Sequence, residues 1–141
     1  MQQAVGQISI DTRGPGLVEV TRQIVSWVDK QAIGDGLLTL FCRHTSASLL
    51  INENAASAVR RDLETYFATI APQDPSRYEH DDEGPDDMPA HLRTALTSVS
   101  LSIPVIGGAM ALGTWQGIYL FEHRAQPHRR QLALHLIGTS R

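Results

Sequence analysis

The stretch Leu37-Leu-Thr-Leu-Phe-Cys-Arg-His44 has the alternating side-chain pattern of a β-strand. Neighbouring side chains of a strand point to opposite faces of the sheet, so every second residue shares a face. One face of this stretch carries Leu38, Leu40, Cys42 and His44, and the other carries Leu37, Thr39, Phe41 and Arg43. The pattern predicts a strand that ends at His44.

Strand-like runs also lie on both sides of this stretch. They are Val5–Ile10, Val99–Ile106, Thr114–Arg124 and Arg130–Ile137. The last three follow one another without the strand-helix-strand rhythm that is typical of a parallel sheet. The sequence therefore predicts an α+β fold with an antiparallel sheet or sandwich.

Three helices are predicted between the strands. They run over Leu17–Ala32, from about Ala55 to Thr69, and from about Met88 to Ser98. The first has apolar residues at helical spacing and ends before Gly34, a residue that often follows a helix. Asn52 or Asn54 is expected to begin the second helix, which ends before Pro72. Pro89 suits the first turn of the third.

Length and composition predict a single domain over residues 1–141. Apolar residues make up 42% of the chain and charged residues 19%, as in ordinary globular proteins. No apolar run approaches the ~20 residues that span a bilayer, and the segment Met1–Ala4 resembles no secretory signal. We therefore expect a cytoplasmic protein with no membrane segment. The net charge of -3 argues against a nucleic-acid partner.

The chain has eleven arginines and one lysine, Lys30, which lies near the end of a predicted helix. A lysine-based covalent mechanism or a phosphate-loop lysine does not fit that position. The glycine-rich signatures of nucleotide-binding loops and the nucleophile motif Gly-x-Ser-x-Gly are also absent. These common classes of nucleotide and nucleophile sites are therefore excluded.

Three of the six histidines lie beside hydroxyl or carboxylate groups at the predicted element boundaries: His44, His80 and His91. Three imidazoles with an open fourth position match a catalytic zinc site, although this spacing matches no standard zinc motif. His91 is expected in the first turn of a helix, where the helix dipole disfavours its protonation. His128 and His135 are expected to have surface or core roles.

Polar groups next to these histidines are candidates for metal or phosphate binding. Six carboxylates fall between Glu79 and Asp87, a run that could support a magnesium or zinc site or could be a solvated loop. Asp87 is equally a candidate helix cap. The hydroxyls of Thr45, Ser46 and Ser48 suit phosphate oxygens, and they also suit simple turns.

Four residues with side chains that could react have plainer structural explanations. Glu122 and Arg124 share a face of a predicted strand, which suits a structural ion pair more than catalysis. Cys42 shares a face with His44, but a buried inert thiol is the preferred interpretation. Trp115 is expected to pack rather than react.

The motifs of the chain resemble those of the secondary thiamine-phosphate synthase family, the YjbQ-like proteins. The matching strings are His44-Thr-Ser-Ala-Ser-Leu, Asn52-Glu53-Asn54, Tyr78-Glu-His-Asp81, Asp86-Asp-Met-Pro-Ala-His91 and Leu112-Gly-Thr-Trp-Gln-Gly-Ile-Tyr-Leu-Phe-Glu-His-Arg124. They occur in the family's order and spacing over nearly the whole chain. The resemblance implies one domain with an antiparallel β sandwich and short flanking helices, assembled as a homotrimer.

The resemblance also implies an activity and a set of site residues. The activity joins hydroxymethylpyrimidine diphosphate to thiazole phosphate with release of diphosphate, as a weak transferase reaction. The implied divalent metal, zinc or magnesium, would be held by His44, His80 and His91. Catalytic roles fall to His44, His91 and Glu122, and substrate binding falls to Thr45, Ser46, Ser48, Asn52, Asp81, Gln116 and Arg124.

Two other functions stay open at the level of sequence. One is a metal-dependent hydrolase or isomerase of a small phosphorylated metabolite, with Glu122 as the base. The other is a noncatalytic trimer that binds a metal or a ligand. A synthase would need two substrates together, whereas a hydrolase would need only water and a binding protein would turn over neither.

Overall fold

The computed structural model describes all 141 residues. Eight strands, three α-helices and one 3₁₀ turn follow in chain order. They are β1 Gln2–Asp11, β2 Gly16–Glu19, α1 Thr21–Asp29, β3 Ile33–Cys42, β4 Ala47–Glu53, α2 Ser57–Ile70, the 3₁₀ turn Pro75–Arg77, α3 Asp87–Leu96, β5 Ser100–Ile106, β6 Ala109–Met110, β7 Gln116–Glu122 and β8 Arg129–Ser140. None of the helices is both long and apolar enough to cross a membrane.

The strands form two antiparallel sheets. The larger sheet has the order β1-β8-β3-β5-β6, and the smaller has the order β2-β7-β4. Every strand pairing in both sheets is antiparallel. The predicted α+β class, with antiparallel sheets and short flanking helices in one domain, is confirmed.

The main core lies between the two sheets. Alternation along β3 and β8 turns every second residue inward, and β7 meets this face from the smaller sheet; the inward leucines are Leu38, Leu40, Leu132, Leu134 and Leu136. α1 adds Ile24 and Val28 to this cluster. The opposite face of β7 is also covered, because Phe121 packs edge to face on Phe67 of α2 at 5.3 Å between ring centres. β7 is therefore buried on both faces, which explains its continuous apolar sequence.

The predicted start of the first helix is wrong. Residues 16–19 form β2, which pairs with β7 at Leu17↔Phe121, and α1 begins only at Thr21. The valines of this segment suit both structures, and pairing with a buried strand decides between them. The sequence analysis also missed β4, which continues the second sheet directly after the His44–Ser46 loop.

The other helices and strands match their predicted positions closely, but two details are wrong. Neither Asn52 nor Asn54 caps α2, which starts at Ser57; the carboxylate of Glu53 instead accepts a hydrogen bond from the amide of Ala56. Trp115 does not pack, since it lies in the turn before β7 and 63% of its surface is exposed.

A buried ion pair joins the two sheets. Glu122 ends β7 of the smaller sheet, and Arg130 lies at the start of β8 in the larger one. The Nε of Arg130 donates to Oε1 of Glu122 at 2.8 Å, and its Nη2 donates to the other carboxylate oxygen. Thr12 donates a third hydrogen bond at 2.6 Å. Burial alone raises the pKa of Glu122, but the hydrogen bonds from Arg130 and Thr12 outweigh it and lower the pKa below its usual value.

Replacing Arg130 by methionine leaves the carboxylate of Glu122 buried and unpaired. We expect Arg130→Met to lower the free energy of unfolding by about 3 to 5 kcal/mol. Adding Glu122→Gln to the same chain removes the unpaired charge and should recover at least about 1 kcal/mol. Urea unfolding of the three proteins measures both effects. A loss below about 1 kcal/mol for Arg130→Met contradicts a structural role for this pair.

Candidate functional site

Two histidines converge on the carboxylate of Asp87. Asp87 is the first residue of α3, and its side chain is 2% exposed. Its Oδ2 lies 2.7 Å from Nε2 of His80 and 3.1 Å from Nε2 of His91. Residues four apart share a helix face, which brings His91 to Asp87. The three ligand atoms all lie within 4.8 Å of one another.

Arg124 holds the other oxygen of Asp87. Its Nη1 donates to Oδ1 of Asp87 at 2.8 Å, and its Nε donates to Asp86 at 2.9 Å. Its Nη2 donates to the backbone carbonyl of Glu83 at 3.0 Å. The hydrogen bond to Asp86 is the main cause that raises the pKa of Arg124. Arg124, in the segment after β7, therefore fixes the position of the beginning of α3. Oδ2 of Asp87 remains free to contact the two histidines.

The proton positions follow from the second nitrogen of His91. Its Nδ1 lies 2.9 Å from the carbonyl oxygen of Thr45, which can only accept, so Nδ1 carries hydrogen. When Nε2 carries no hydrogen, the ring presents a lone pair toward the Asp87 carboxylate. Two lone pairs at 3.1 Å repel each other unless a proton or a metal cation lies between them.

The ionisation of His80 and Asp87 is coupled. The hydrogen bond to Asp87 is the main cause that raises the pKa of His80. Burial raises the pKa of Asp87, but His80, His91 and Arg124 together reverse this and hold it below its usual range. Asp87 is therefore ionised at neutral pH. The cluster combines a carboxylate with nitrogen ligands, as metal sites do.

A pocket of about 810 Å³ adjoins the cluster through His91. Its wall includes the segment from Phe41 to Ser46, the side of α3 and Arg130. The Nη1 of Arg43 donates only to Gln7, at an exposed position. The pocket is thus wide, lined by two arginines, and open to a ligand that reaches His91.

His44 lines this pocket but is not part of the histidine–carboxylate cluster. Its Nε2 accepts a hydrogen bond from the backbone amide of Gln131 at 2.8 Å, which turns that nitrogen away from the cluster. Burial, followed by the charge of Arg130, holds the pKa of His44 below its usual value. The geometry therefore replaces the expected set of His44, His80 and His91 with His80, Asp87 and His91.

The positions of His91 and Asp87 on α3 also differ from expectation. His91 is the fifth residue of the helix rather than a first-turn residue, so the dipole argument does not apply to it. Asp87 is not the helix cap, because the residue before the helix is Asp86 and no side chain caps it.

The three predicted hydroxyls have different environments. Thr45 and Ser46 line the pocket, and Ser46 accepts a hydrogen bond from Arg130 at 3.0 Å. Ser48 is fully buried in β4, where it pairs with Nε2 of His123 at 2.9 Å and accepts from Thr97. Burial, followed by the charge of Arg93, lowers the pKa of His123 to about 3. Ser48 is therefore part of the core and cannot reach a pocket ligand.

Glu122 and Arg124 do not pair with each other. β7 ends at Glu122, so the alternation that places both on one face stops there and Arg124 turns toward α3. Both carboxylate oxygens of Glu122 accept hydrogen bonds inside the protein. This environment does not suit the predicted general base, since a base needs a free oxygen near its substrate.

Two further predicted binding residues, Asn52 and Gln116, lie away from the cluster. Asn52 and Gln116 are at the end of β4 and β7 opposite to the Ala47↔Glu122 pair. Five residues of strand separate the two ends, roughly 17 Å. Asn52 and Gln116 accept hydrogen bonds from nearby backbone amides. Asp81 is exposed in the loop before α3.

Asp87 is the central residue of the cluster, and from sequence it was one of six carboxylates that could support a metal site and equally a candidate helix cap. The spacing of Asp87 and His91, four residues apart on a predicted helix, was the signal that could have found it. Arg130 carried no such signal, because its partner is eight residues away in another sheet. Cys42 is buried in β3, as the inert-thiol interpretation expects, and burial raises its pKa to about 11.

Comparisons with known proteins place these residues in a family. The model described as UPF0047 protein YjbQ-like matches residues 6–139. The UPF0047 protein sll1880 of Synechocystis is 48% identical over 92% of this chain and 88% of its own. YjbQ of Escherichia coli is 41% identical over 93% of this chain and 95% of its own.

A solved structure shows the same fold. It is a conserved protein of the YjbQ/UPF0047 family from Clostridium acetobutylicum, with a TM-score of 0.85 and 31% identity. The superposition covers 93% of this chain and 98% of the other. With a family model that matches most of the sequence and relatives of this similarity, the chain belongs to the YjbQ-like UPF0047 family.

Proposed function

We propose that the protein is a metal-assisted transferase for small phosphorylated substrates, with the metal at His80, Asp87 and His91. One observation carries this proposal: Nε2 of His80 and Nε2 of His91 both face one oxygen of the buried, ionised Asp87 carboxylate, at 2.7 and 3.1 Å. A divalent cation would take the place of the protons that lie between these atoms in the metal-free protein. Two imidazoles and one carboxylate also form a common ligand set for zinc and iron.

The surrounding hydrogen bonds suit a metal site as well. The carbonyl of Thr45 fixes the ring of His91, and Arg124 fixes the second oxygen of Asp87. Metal-binding histidines usually donate their other N–H in this way, which orients the ring and sets the tautomer. The nitrogen and carboxylate donors favour zinc over magnesium, which prefers oxygen ligands.

A metal bound here would stabilise negative charge that develops on a phosphate leaving group. The pocket residues supply the remaining contacts. Arg43 and the hydroxyl of Thr45 face the same pocket as His91 and can bind phosphate oxygens. Arg130 reaches the pocket but is largely engaged by Glu122, so it contributes positive charge rather than a free hydrogen-bond donor.

Within this class, we propose the reaction that the family resemblance implies. The bond between the pyrimidine methylene carbon and the diphosphate oxygen breaks, and diphosphate leaves with the electron pair. Thiazole phosphate forms the new bond to the methylene carbon. No covalent enzyme intermediate is needed, which agrees with a chain whose single lysine is Lys30. A hydrolase and a noncatalytic metal-binding protein are the competing functions, and the first would need a base other than Glu122.

The reaction is tested by its requirement for two substrates. We expect diphosphate release when hydroxymethylpyrimidine diphosphate, thiazole phosphate and zinc are all present. Omitting thiazole phosphate or adding a chelator should lower the rate at least about tenfold, because the leaving group then lacks its acceptor or its metal. Release at an equal rate without thiazole phosphate identifies a hydrolase and contradicts the proposal.

The metal site is tested separately by metal content. We expect His80→Ala and His91→Ala to lower zinc affinity at least about tenfold, since each removes a proposed ligand. His128→Ala is the matched control, because His128 lies on a loop outside the cluster. The metal-free His91→Ala protein should unfold within about 1 kcal/mol of the metal-free wild type. Zinc retained at full affinity by His91→Ala contradicts the site.

We also propose that the chain forms the homotrimer implied by the family resemblance. The outer face of the larger sheet exposes several apolar side chains: Val5, Leu37, Phe41 and Ile137. Exposed apolar patches of this kind often contact a partner. Phe41 also lines the pocket beside His91, so a second copy on this face would complete the pocket wall.

The trimer is tested by light scattering. We expect a mass three times the chain's 15.5 kDa. Leu37→Lys should lower this mass, because it places a charge within the proposed contact. Ile70→Lys is a matched control, since Ile70 on α2 is exposed to a similar degree, 43% against 42% for Leu37. A wild-type protein that stays at the mass of one chain contradicts the trimer.

A further inference from the structure

A second pocket lies on the other side of α3. Its volume is about 360 Å³, and it is bounded by α2, the turn before β2 and the end of β7. Arg93 of α3 lines it, and His91 lines the pocket described above. His91 and Arg93 are two positions apart, which corresponds to a rotation of about 200° around the helix axis. Their side chains therefore leave α3 in nearly opposite directions. The second pocket is therefore separate from the histidine–carboxylate cluster.

Arg93 is a buried guanidinium without a charged partner. It is only 8% exposed, and its one hydrogen bond is from Nη2 to the carbonyl of Ala71 at 2.7 Å. Its Nε is buried with no partner, and no carboxylate lies within ion-pair distance. An arginine cannot escape this situation by losing its proton. Burial of an unpaired charge is costly. A ligand that accepts hydrogen bonds from the Arg93 guanidinium would reduce this cost.

The charges around Arg93 restrict the ligand. Glu122 lines the same pocket, but Arg130 neutralises it. Glu64 is the other carboxylate of the pocket wall, and its Oε2 accepts a hydrogen bond from the amide of Leu17 at 3.1 Å. The pocket wall therefore carries one unpaired positive charge, on Arg93, and one negative charge, on Glu64. This arrangement accommodates a single negative charge on a ligand better than two.

The remaining wall includes two aromatic rings. Phe67 and Phe121 pack edge to face and both border the pocket. Rings in this position offer contact area to an apolar or aromatic ligand body. The volume of about 360 Å³ suits a small molecule rather than a peptide.

We propose that this pocket binds a small monocarboxylate with an aromatic or apolar body, held by Arg93. The carboxylate accepts paired hydrogen bonds from the planar guanidinium, and the body of the ligand lies against Phe67 and Phe121. The pocket requires neither the metal nor the transferase reaction proposed above. Its ligand would bind at a site separate from the histidine–carboxylate cluster.

Calorimetric titration with benzoate tests the proposal. Benzamide has the same shape without the charge, and inorganic phosphate supplies an anion without the ring. We expect benzoate to bind the full-length protein, and both comparison compounds to bind at least about tenfold more weakly. Arg93→Met should weaken benzoate binding at least about tenfold. Arg61→Met on the exposed side of α2 should leave it unchanged.

A second variant gives a change in the opposite direction. Glu64→Gln removes the opposing charge while its amide oxygen can still accept from Leu17. We expect this variant to bind benzoate several-fold more tightly, which loss of folding cannot imitate. Arg93→Met should fold, because an apolar chain of similar length replaces an unpaired charge. Thermal unfolding without ligand checks this.

Each remaining outcome overturns the proposal. These are no benzoate binding at millimolar concentration, equal binding of benzamide, tighter binding of phosphate, or undiminished benzoate binding by folded Arg93→Met. If Arg93→Met does not fold, Glu64→Gln decides. Unchanged or weaker benzoate binding by Glu64→Gln then overturns the proposal.

Discussion

The buried ion pair between Glu122 and Arg130 is the contact on which the site depends. It joins the end of β7 in one sheet to the start of β8 in the other, and Thr12 and Ser46 add hydrogen bonds from two adjoining loops. The pair fixes where β7 stops. Arg124 follows two residues later and therefore meets the beginning of α3 at a defined position.

Arg124 in turn positions the candidate metal ligands. Arg124 holds one oxygen of Asp87, and the other oxygen meets His80 and His91. The loop after β3 supplies the Thr45 carbonyl that sets the tautomer of His91. Groups from two separate parts of the chain thus orient the carboxylate of Asp87 and the imidazole of His91 before any cation binds, which lowers the cost of assembling a site.

Much of the fold could be predicted from sequence, because strand alternation and helix punctuation are local. β3 and β8 alternate cleanly, whereas β2 and β4 were missed because pairing with β7 decides their structure. His80 and His91 could be identified as candidates from their neighbours. The position of His44 outside the cluster could not be predicted, because it depends on a hydrogen bond from the backbone amide of Gln131 in β8. The unpaired state of Arg93 likewise depends on packing, which no spacing in the sequence records.

Anomalous X-ray diffraction at the zinc absorption edge, from crystals of zinc-loaded protein, tests the proposed metal site. We expect one strong peak per chain within about 2.3 Å of Nε2 of His80, Nε2 of His91 and Oδ2 of Asp87. A peak at His44, or no peak at Asp87 in zinc-loaded crystals, would contradict the central claim that this carboxylate and its two histidines form the metal site.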